Sequence, residues 1–404
     1  MKTVSGGVCA AKGYKAGGVH CGIRRNPGKK DLALIVSECA ANAAAVYTTN
    51  LVKGAPIIVD QKHLADGKAQ AVICNSGNAN TCNADGIEIA EGMAALVEKH
   101  TGIAANDVVV ASTGVIGEPL SLAPIEKGMD SLVASLSSDG SLDACHAIMT
   151  TDTVPKEIAV EFTLGGKVCR MGGIAKGSGM IHPNMATMMV FITTDAAVSA
   201  QMLQKALSED IKATFNMTSV DGDTSTNDTV VLMANGLAGN PQITREGEDF
   251  DTFMKALNTV NMHLCRSIAA DGEGATKLLE CVVKGAETLE KARKVAKSVI
   301  CSSLVKAAMF GEDANWGRVL CAIGYSGADV DVSKVDLSFM SAAGSIELCR
   351  NGAGIPFSEE KAAEILHEKE IDILVDLKSG SFEATAWGCD LTYDYVKING
   401  DYRT

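Results

Sequence analysis

Strand patterns alternate with helical ones along all 404 residues, which predicts an α/β fold built in layers with mixed or antiparallel sheets. Two alternating runs, 158–162 and 168–171, flank Leu164-Gly165-Gly166-Lys167, the pattern of a hairpin and so of antiparallel pairing. Helical periodicity is separate and clear: Phe250, Phe253, Met254, Leu257, Val260 and Leu264 share one face. Interleaving with many hairpins argues against a doubly wound parallel sheet, and no G-x-G-x-x-G of a dinucleotide site stands at a strand-to-helix turn.

From the N-terminus, Gly-Gly-Val at 6–8 and again at 17–19 reads as the two arms of a hairpin. Strands follow at 71–74 and 108–112, then the hairpin at 158–171, then a strand at 187–193. Met202, Ala206, Leu207 and Ile211 predict a helix over 202–215, ahead of the helix at 250–264. Past residue 286 a helical, Lys-rich stretch leads into a block richer in strands, at 329–332, 345–349, 371–377 and 382–386. The division expected is a core domain, 1–286, and a smaller C-terminal domain, 287–404. No Pro/Ser-rich linker separates them.

Composition bounds the function. The net charge of -13 argues against a nucleic-acid or anionic-membrane binder, and Arg24, Arg25, Lys29 and Lys30 form one small basic cluster of the kind usually solvated in a loop. No stretch approaches a membrane span, and the Lys- and Gly-rich start lacks the apolar run of a signal peptide. Thirteen cysteines without an export signal read as thiols of a cytoplasmic protein, most of them buried as small hydrophobes. None forms a C-x-x-C pair, and no metal site or resident cofactor is expected. Aromatics are scarce at 4%, so the core is expected to consist of small and flexible side chains.

The most informative stretch is Lys176-Gly177-Ser178-Gly179-Met180-Ile181-His182-Pro183-Asn184-Met185-Ala186-Thr187. A glycine-rich loop and a proline turn run into an apolar strand that begins with threonine. An internal threonine has no base of its own, but as a first residue its α-amine can take the hydroxyl proton. A cut between Ala186 and Thr187 would create that terminus. Four other polar clusters sit against apolar strands. Ser112-Thr113-Gly114-Val115-Ile116-Gly117 suits either an oxyanion site or a plain strand-to-turn transition. Thr150-Thr151-Asp152-Thr153 suits a site or a helix N-cap. Gly272-Glu273-Gly274 suits a close ligand approach or an exposed turn. Asn75-Ser76-Gly77-Asn78-Ala79-Asn80 is a similar polar loop after a strand.

In this order, and with Phe310-Gly311-Glu312-Asp313-Ala314-Asn315-Trp316-Gly317-Arg318, these motifs resemble the ornithine acetyltransferase family, also called the arginine biosynthesis bifunctional ArgJ proteins. The resemblance runs from about residue 31 to Thr404. It implies a layered α-β-β-α sandwich with a smaller C-terminal α/β domain, self-cleaved into fragments 1–186 and 187–404 that reassociate as a heterotetramer. It implies Thr187 as nucleophile, Thr113 and Gly114 as oxyanion hole, and substrate contacts from Thr150, Lys176, Thr187, Glu273, Asn399 and Thr404. It further implies acetyl transfer from N2-acetyl-L-ornithine to L-glutamate in arginine biosynthesis, with acetyl-CoA as a donor in bifunctional members. Gly400 departs from the alanine that members often carry, adding backbone freedom beside Asn399. Two other readings keep the same pocket. A self-cleaved aminopeptidase or amidase would release free acetate, and a non-catalytic amino-acid binding protein would keep the 186–187 bond intact.

Overall fold

A computed structural model describes residues 1–182 and 188–401. Among these residues nine strands form one sheet: β1 (Lys2–Val4), β2 (Tyr14–Val19), β3 (Leu32–Tyr47), β4 (Lys68–Asn78), β5 (Val108–Val115), β6 (Lys156–Leu164), β7 (Lys167–Lys176), β8 (Met189–Thr194) and β9 (Thr229–Ala234). Their order is β1-β6-β7-β8-β9-β3-β4-β5, with β2 on the edge of β3. Only β4/β5 and β8/β9 are parallel. The sheet is mixed, as the hairpin signal at Gly165-Gly166 foretells; β6 and β7 pair from Lys156–Ala175 to Leu164–Lys167.

The long strand β3 hinges the architecture. Its first half pairs with β4, its second with β9, and the register shifts between Val36 and Ala41. Around that irregularity the sheet folds into two layers that face each other. Cys74 on β4 and Met189 on β8, three strands apart in the sheet order, meet at 3.7 Å. Side-chain alternation then assigns every core. Ala33, Ile35, Val72, Cys74, Met189, Phe191 and Val231 point inward, around the helix Ser141–Ile148. Leu34, Ile73, Val108 and Val110 point outward against the helices Gly86–Thr101 and Leu122–Ala134. Val190, Ile192 and Leu232 point outward on the other side, against Ala200–Asp210 and Glu248–Ala270. This is the α-β-β-α layering. Both faces of β8 are buried, which is why it reads as an unbroken apolar run.

A second sheet contains β10 (Leu278–Ala286), β11 (Asp336–Ser341), β12 (Gly344–Arg350), β13 (Ala353–Gly354), β14 (Glu370–Asp376) and β15 (Phe382–Cys389), in the order β13-β12-β11-β14-β10-β15. The helix Leu289–Cys301 packs on β10 and β15. β10, paired between β14 and β15 in this sheet, lies before residue 287.

Three local expectations give way. The two Gly-Gly-Val segments do not pair: Gly6 and Gly7 take left-handed conformations (φ 111° and 45°) that break an extended arm, and Gly7–Cys9 is a short 3-10 turn. β2 pairs instead with β3, and β1 with β6. Residues 329–332 are not a strand, because the Asp331 carboxylate takes the Ser333 N–H and hydroxyl and starts the 3-10 turn Val332–Lys334. The helix expected to reach 215 stops at Asp210. There the carboxylate accepts from Asn258 and Asn261 of the next helix, and Thr214 bonds back to it. The strand expected at 187–193 is described from Met189. Seven cysteines are buried, Cys74, Cys145, Cys169, Cys265, Cys281, Cys349 and Cys389, a majority of the thirteen.

Candidate active site

The site lies at one end of the two-layer seam, where β4, β5 and β7 finish and β8 and β9 begin. The β4/β5 register sets Ser76 beside Thr113 and Gly77 beside Gly114. Gly114 has φ 133°, and a Cβ there would lie 2.3 Å from the Gly77 carbonyl carbon, so only glycine fits. The two polar loops therefore close on one another backbone to backbone. Thr113 is almost buried, and among the described residues its hydroxyl has no hydrogen-bond partner, leaving it available to a ligand.

Lys176, the last residue of β7, pairs with Met189 at the start of β8. Thr113, Lys176, Gly179, Met180, Ile181, Met188, Met189, Asn227 and Asp228 line one small cavity of about 30 Å³. Thr187 and Ala186 lie outside the described residues. The chain re-enters at Met188, whose carbonyl accepts from the Thr229 N–H at 2.9 Å. Lys176 is only 8% exposed, yet its ammonium makes no ion pair within 4 Å among the described residues. Its charge is felt at Asp152. Burial pushes that carboxyl up, but Lys176 and then Lys156 more than offset this, and Asp152 sits well below the usual carboxylate range.

Thr150 does not line that small cavity. It lines a larger cavity of about 470 Å³ with Gly22, Arg24, Arg25, Gly77 and Val115. Its N–H donates to Asp152 Oδ2 at 3.0 Å, and its carbonyl accepts from Arg24 Nη2 at 3.1 Å. Arg24 also donates to the Met149 carbonyl at 2.8 Å, so this member of the basic cluster ties down the Thr150 segment. Lys30 pairs with Asp143, while Arg25 and Lys29 are exposed, as a solvated cluster requires.

Glu273 meets the glycine-rich loop from the second sheet's side. Its N–H donates to the Ser178 carbonyl at 2.9 Å, and its carboxylate accepts from Asn399 Nδ2 at 2.8 Å. A Cβ on Gly179 would lie 2.4 Å from the Glu273 carboxyl, so glycine lets the two segments touch. Asn399 belongs to the C-terminal helix Tyr393–Asp401, where Gly400 has open space in place of a side chain. Thr404 lies outside the described residues. The loop is fixed further on by Asp221, which accepts from the Met180 and Ile181 N–H groups at 2.6 and 2.7 Å.

Thr113, Lys176 and Met188 are thus gathered at one cavity, Gly114 follows Thr113 on β5, and Glu273 and Asn399 contact each other behind the same loop. Sequence patterns did not single out Lys156, Asp221 or Asn227 for any role there. Asn227 bonds the carbonyls of Ala79 and Ser112 and so joins β9's approach to β4 and β5, a contact across more than a hundred residues. What could have flagged Asp221 is the run of polar residues from Ser219 to Asn227, placed directly before an apolar strand.

Known proteins match this chain along nearly its whole length. The ArgJ family model matches residues 15–404. The arginine biosynthesis bifunctional protein ArgJ of Caldanaerobacter subterraneus subsp. tengcongensis is 55% identical, and that of Symbiobacterium thermophilum 53%, each over 100% of both chains. The crystal structure of the arginine biosynthesis bifunctional protein argJ from Bacillus halodurans is 47% identical, with a TM-score of 0.50. It matches 53% of this chain and 98% of its own.

Proposed function

This chain belongs to the ArgJ family and is an acyltransferase of arginine biosynthesis, and from that premise we propose that it carries acetyl from N2-acetyl-L-ornithine to L-glutamate on Thr187. The observation that carries the reading is the buried Lys176 ammonium, without an ion pair among the described residues, in one cavity with Thr113 and Met188. A buried cation without a partner is costly, and a substrate α-carboxylate, common to ornithine and glutamate, would satisfy it.

In this mechanism Thr187 is first freed by attack of its own hydroxyl on the Ala186 carbonyl, followed by hydrolysis of the resulting ester. The new α-amine, with an ordinary pKa of about 7.7–8.0, then serves as base and acid near neutrality. Thr187 Oγ adds to the acetyl carbonyl and its proton passes to the α-amine. The C–N bond breaks, the proton goes to the departing nitrogen, and ornithine leaves. Glutamate's α-amine attacks the acetyl ester, and Thr187 is regenerated. Thr113 and Gly114 take the negative charge of each tetrahedral intermediate. Lys176 and Thr150 hold the shared amino-acid end, while Glu273, with Asn399 and Thr404, receives the side-chain ammonium of ornithine.

We further propose fragments 1–186 and 187–404 joined as a heterotetramer of two of each, in the cytoplasm, with acetyl-CoA as a second donor. The solved Bacillus chain, about half as long as this one, supports the division into fragments. The basic mouth of the larger cavity, at Arg24 and Arg25, offers room and charge for a phosphorylated donor. The test supplies glutamate with either acetylornithine or acetyl-CoA and measures acetylglutamate, ornithine and free acetate. Ornithine and acetylglutamate in equal amounts are expected. Free acetate in place of acetylglutamate would make the protein an amidase.

A further inference from the structure

Beneath the proposed site lies a buried cluster of ions that none of the steps above uses. Lys156, the first residue of β6, is among the largest fully buried side chains of the protein. Its ammonium donates to Asp152 Oδ1 at 2.7 Å and Asp271 Oδ2 at 2.5 Å, and all three side chains are 4% exposed or less. The carboxylates reach onward to different segments. Asp152 accepts from the Gly177 N–H at 2.7 Å and from the Thr150 N–H at 3.0 Å. Asp271 accepts from the Thr153 N–H at 3.0 Å and from the Thr153 hydroxyl. Gly177 adjoins Lys176, Asp271 lies two residues before Glu273, and Lys156 itself is registered against Ala175.

Resting on the acetyl-transfer reading, we propose that Lys156 is a positioning residue that fixes the spacing between the α-carboxylate anchor, Lys176 with Thr150, and the side-chain acceptor, Glu273. One ammonium joins the three segments that carry these groups, and it touches no substrate itself. Its physical logic is specificity, not stability. A buried ion cluster loses much of its Coulombic gain to desolvation, so well-packed apolar residues would hold the core as well. Directional bonds from one cation to two carboxylates, and from four backbone N–H groups to those carboxylates, set distances that apolar packing leaves adjustable. The cluster is also matched to the anchor in charge. Lys176, on the cavity side, lies close enough for its charge to hold the Asp152 carboxyl down.

A fixed anchor-to-acceptor spacing makes the enzyme a gauge of side-chain length. N2-acetyllysine carries the same groups as N2-acetylornithine with one more methylene, and a rigid site rejects it. The double variant Lys156→Met/Asp271→Asn removes one positive and one negative buried charge together and leaves Asp152 with Lys176 and the Gly177 N–H. Lys156→Arg keeps the charge as the conservative control. Each full-length protein is purified, and its cleavage and melting temperature are compared with wild type. Then kcat and KM are measured for both donors with glutamate as acceptor, and Thr187 acetylation is followed with p-nitrophenyl acetate, which has neither carboxylate nor ammonium.

In the folded, cleaved double variant we expect acetylation by p-nitrophenyl acetate to stay within about twofold of wild type. KM for acetylornithine should rise on the order of tenfold, and the preference for acetylornithine over acetyllysine should fall by a similar factor, the range a single methylene commands. Lys156→Arg should restore most of the preference. A folded double variant with unchanged KM and preference overturns the proposal and leaves the acetyl-transfer reading intact. If the double variant fails to fold, Asp271→Asn alone, which keeps the Lys156–Asp152 pair, is read in the same way. A wild-type protein that transfers no acetyl from acetylornithine sinks the functional reading, and the gauge with it.

Discussion

In the proposed mechanism Thr113 and Lys176 do different work, and kinetics separates them. The Thr113 hydroxyl, without a partner among the described residues, would there face charge that exists only in the transition state. Thr113→Ala should therefore lower kcat on the order of a hundredfold, about 3 kcal/mol of transition-state stabilisation, and leave KM nearly unchanged. Weakened affinity at normal kcat would move Thr113 into substrate binding. Lys176 faces a group that donor and acceptor share, so Lys176→Met should raise KM for acetylornithine and glutamate alike, whereas Glu273→Gln should weaken acetylornithine more. Steady-state kinetics with each substrate varied in turn decides it; an effect of Lys176→Met on one substrate alone would mean two binding poses. Thr113 and Lys176 stood out in the sequence because each sits in a short polar motif at the end of an apolar strand, and Glu273 because it stands between two glycines. Lys156 did not: a lone lysine before an alternating strand gives no hint that it is fully buried, since both its carboxylates come from distant segments or from a turn whose shape the fold sets. Arg24 was read as a solvated charge for the same reason, its acceptors Met149 and Thr150 being more than a hundred residues away.

Strand and helix periodicity carries well where one face is buried and fails where a side chain redirects the backbone. The β6/β7 hairpin and the helix Glu248–Ala270 follow their patterns, the helix reaching further at both ends than its apolar face alone requires. The segment before β11 follows Asp331, and the helix Ala200–Asp210 ends on the bonds of its own last carboxylate, polar choices that hydrophobic spacing does not register. β3 hid in a run of alanines, whose small side chains suit a strand packed on both sides but signal none. The loop from β7 to β8 shows the opposite case, where the smallest residue carries the information. Gly179 allows Glu273 to rest against the loop. Gly179→Ala should push the flexible Glu273 carboxyl aside without upsetting the sheet. The expected result is a raised KM for acetylornithine, glutamate kinetics close to wild type, and a melting temperature within a few degrees of wild type. Equal damage to both substrates would show that the added methyl displaces Lys176 as well.

At the scale of the whole molecule, the sheet order decides what cleavage at 186–187 would do. β1 to β7 belong to residues before the cut and β8 and β9 to residues after it, yet β8 and β9 stand in the middle of the sheet, between β7 and β3. The later fragment is therefore hydrogen-bonded on both sides to the earlier one, antiparallel to β7 along Met171–Lys176 and antiparallel to β3 along Asn42–Tyr47. Its inward residues Met189, Phe191 and Val231 share a core with Ile35, Val72 and Ile174. Two fragments interleaved in this way cannot part by sliding along one surface; separation requires opening the sheet. Active protein should thus run as two bands of residues 1–186 and 187–404 under denaturing conditions and as one species on a native column. Urea should dissociate the fragments in the same transition that unfolds them, measured by circular dichroism and by sizing in parallel. Thr187→Ala should give one uncut, inactive chain with the same fold, because β8 pairs whether or not the bond is cut. Thr187→Ser should still cleave, since it keeps hydroxyl and amine. Fragments that separate at a urea concentration well below the unfolding midpoint would contradict the interleaved sheet, and a single uncut band in fully active wild-type protein would remove the amine on which the acetyl-transfer chemistry depends.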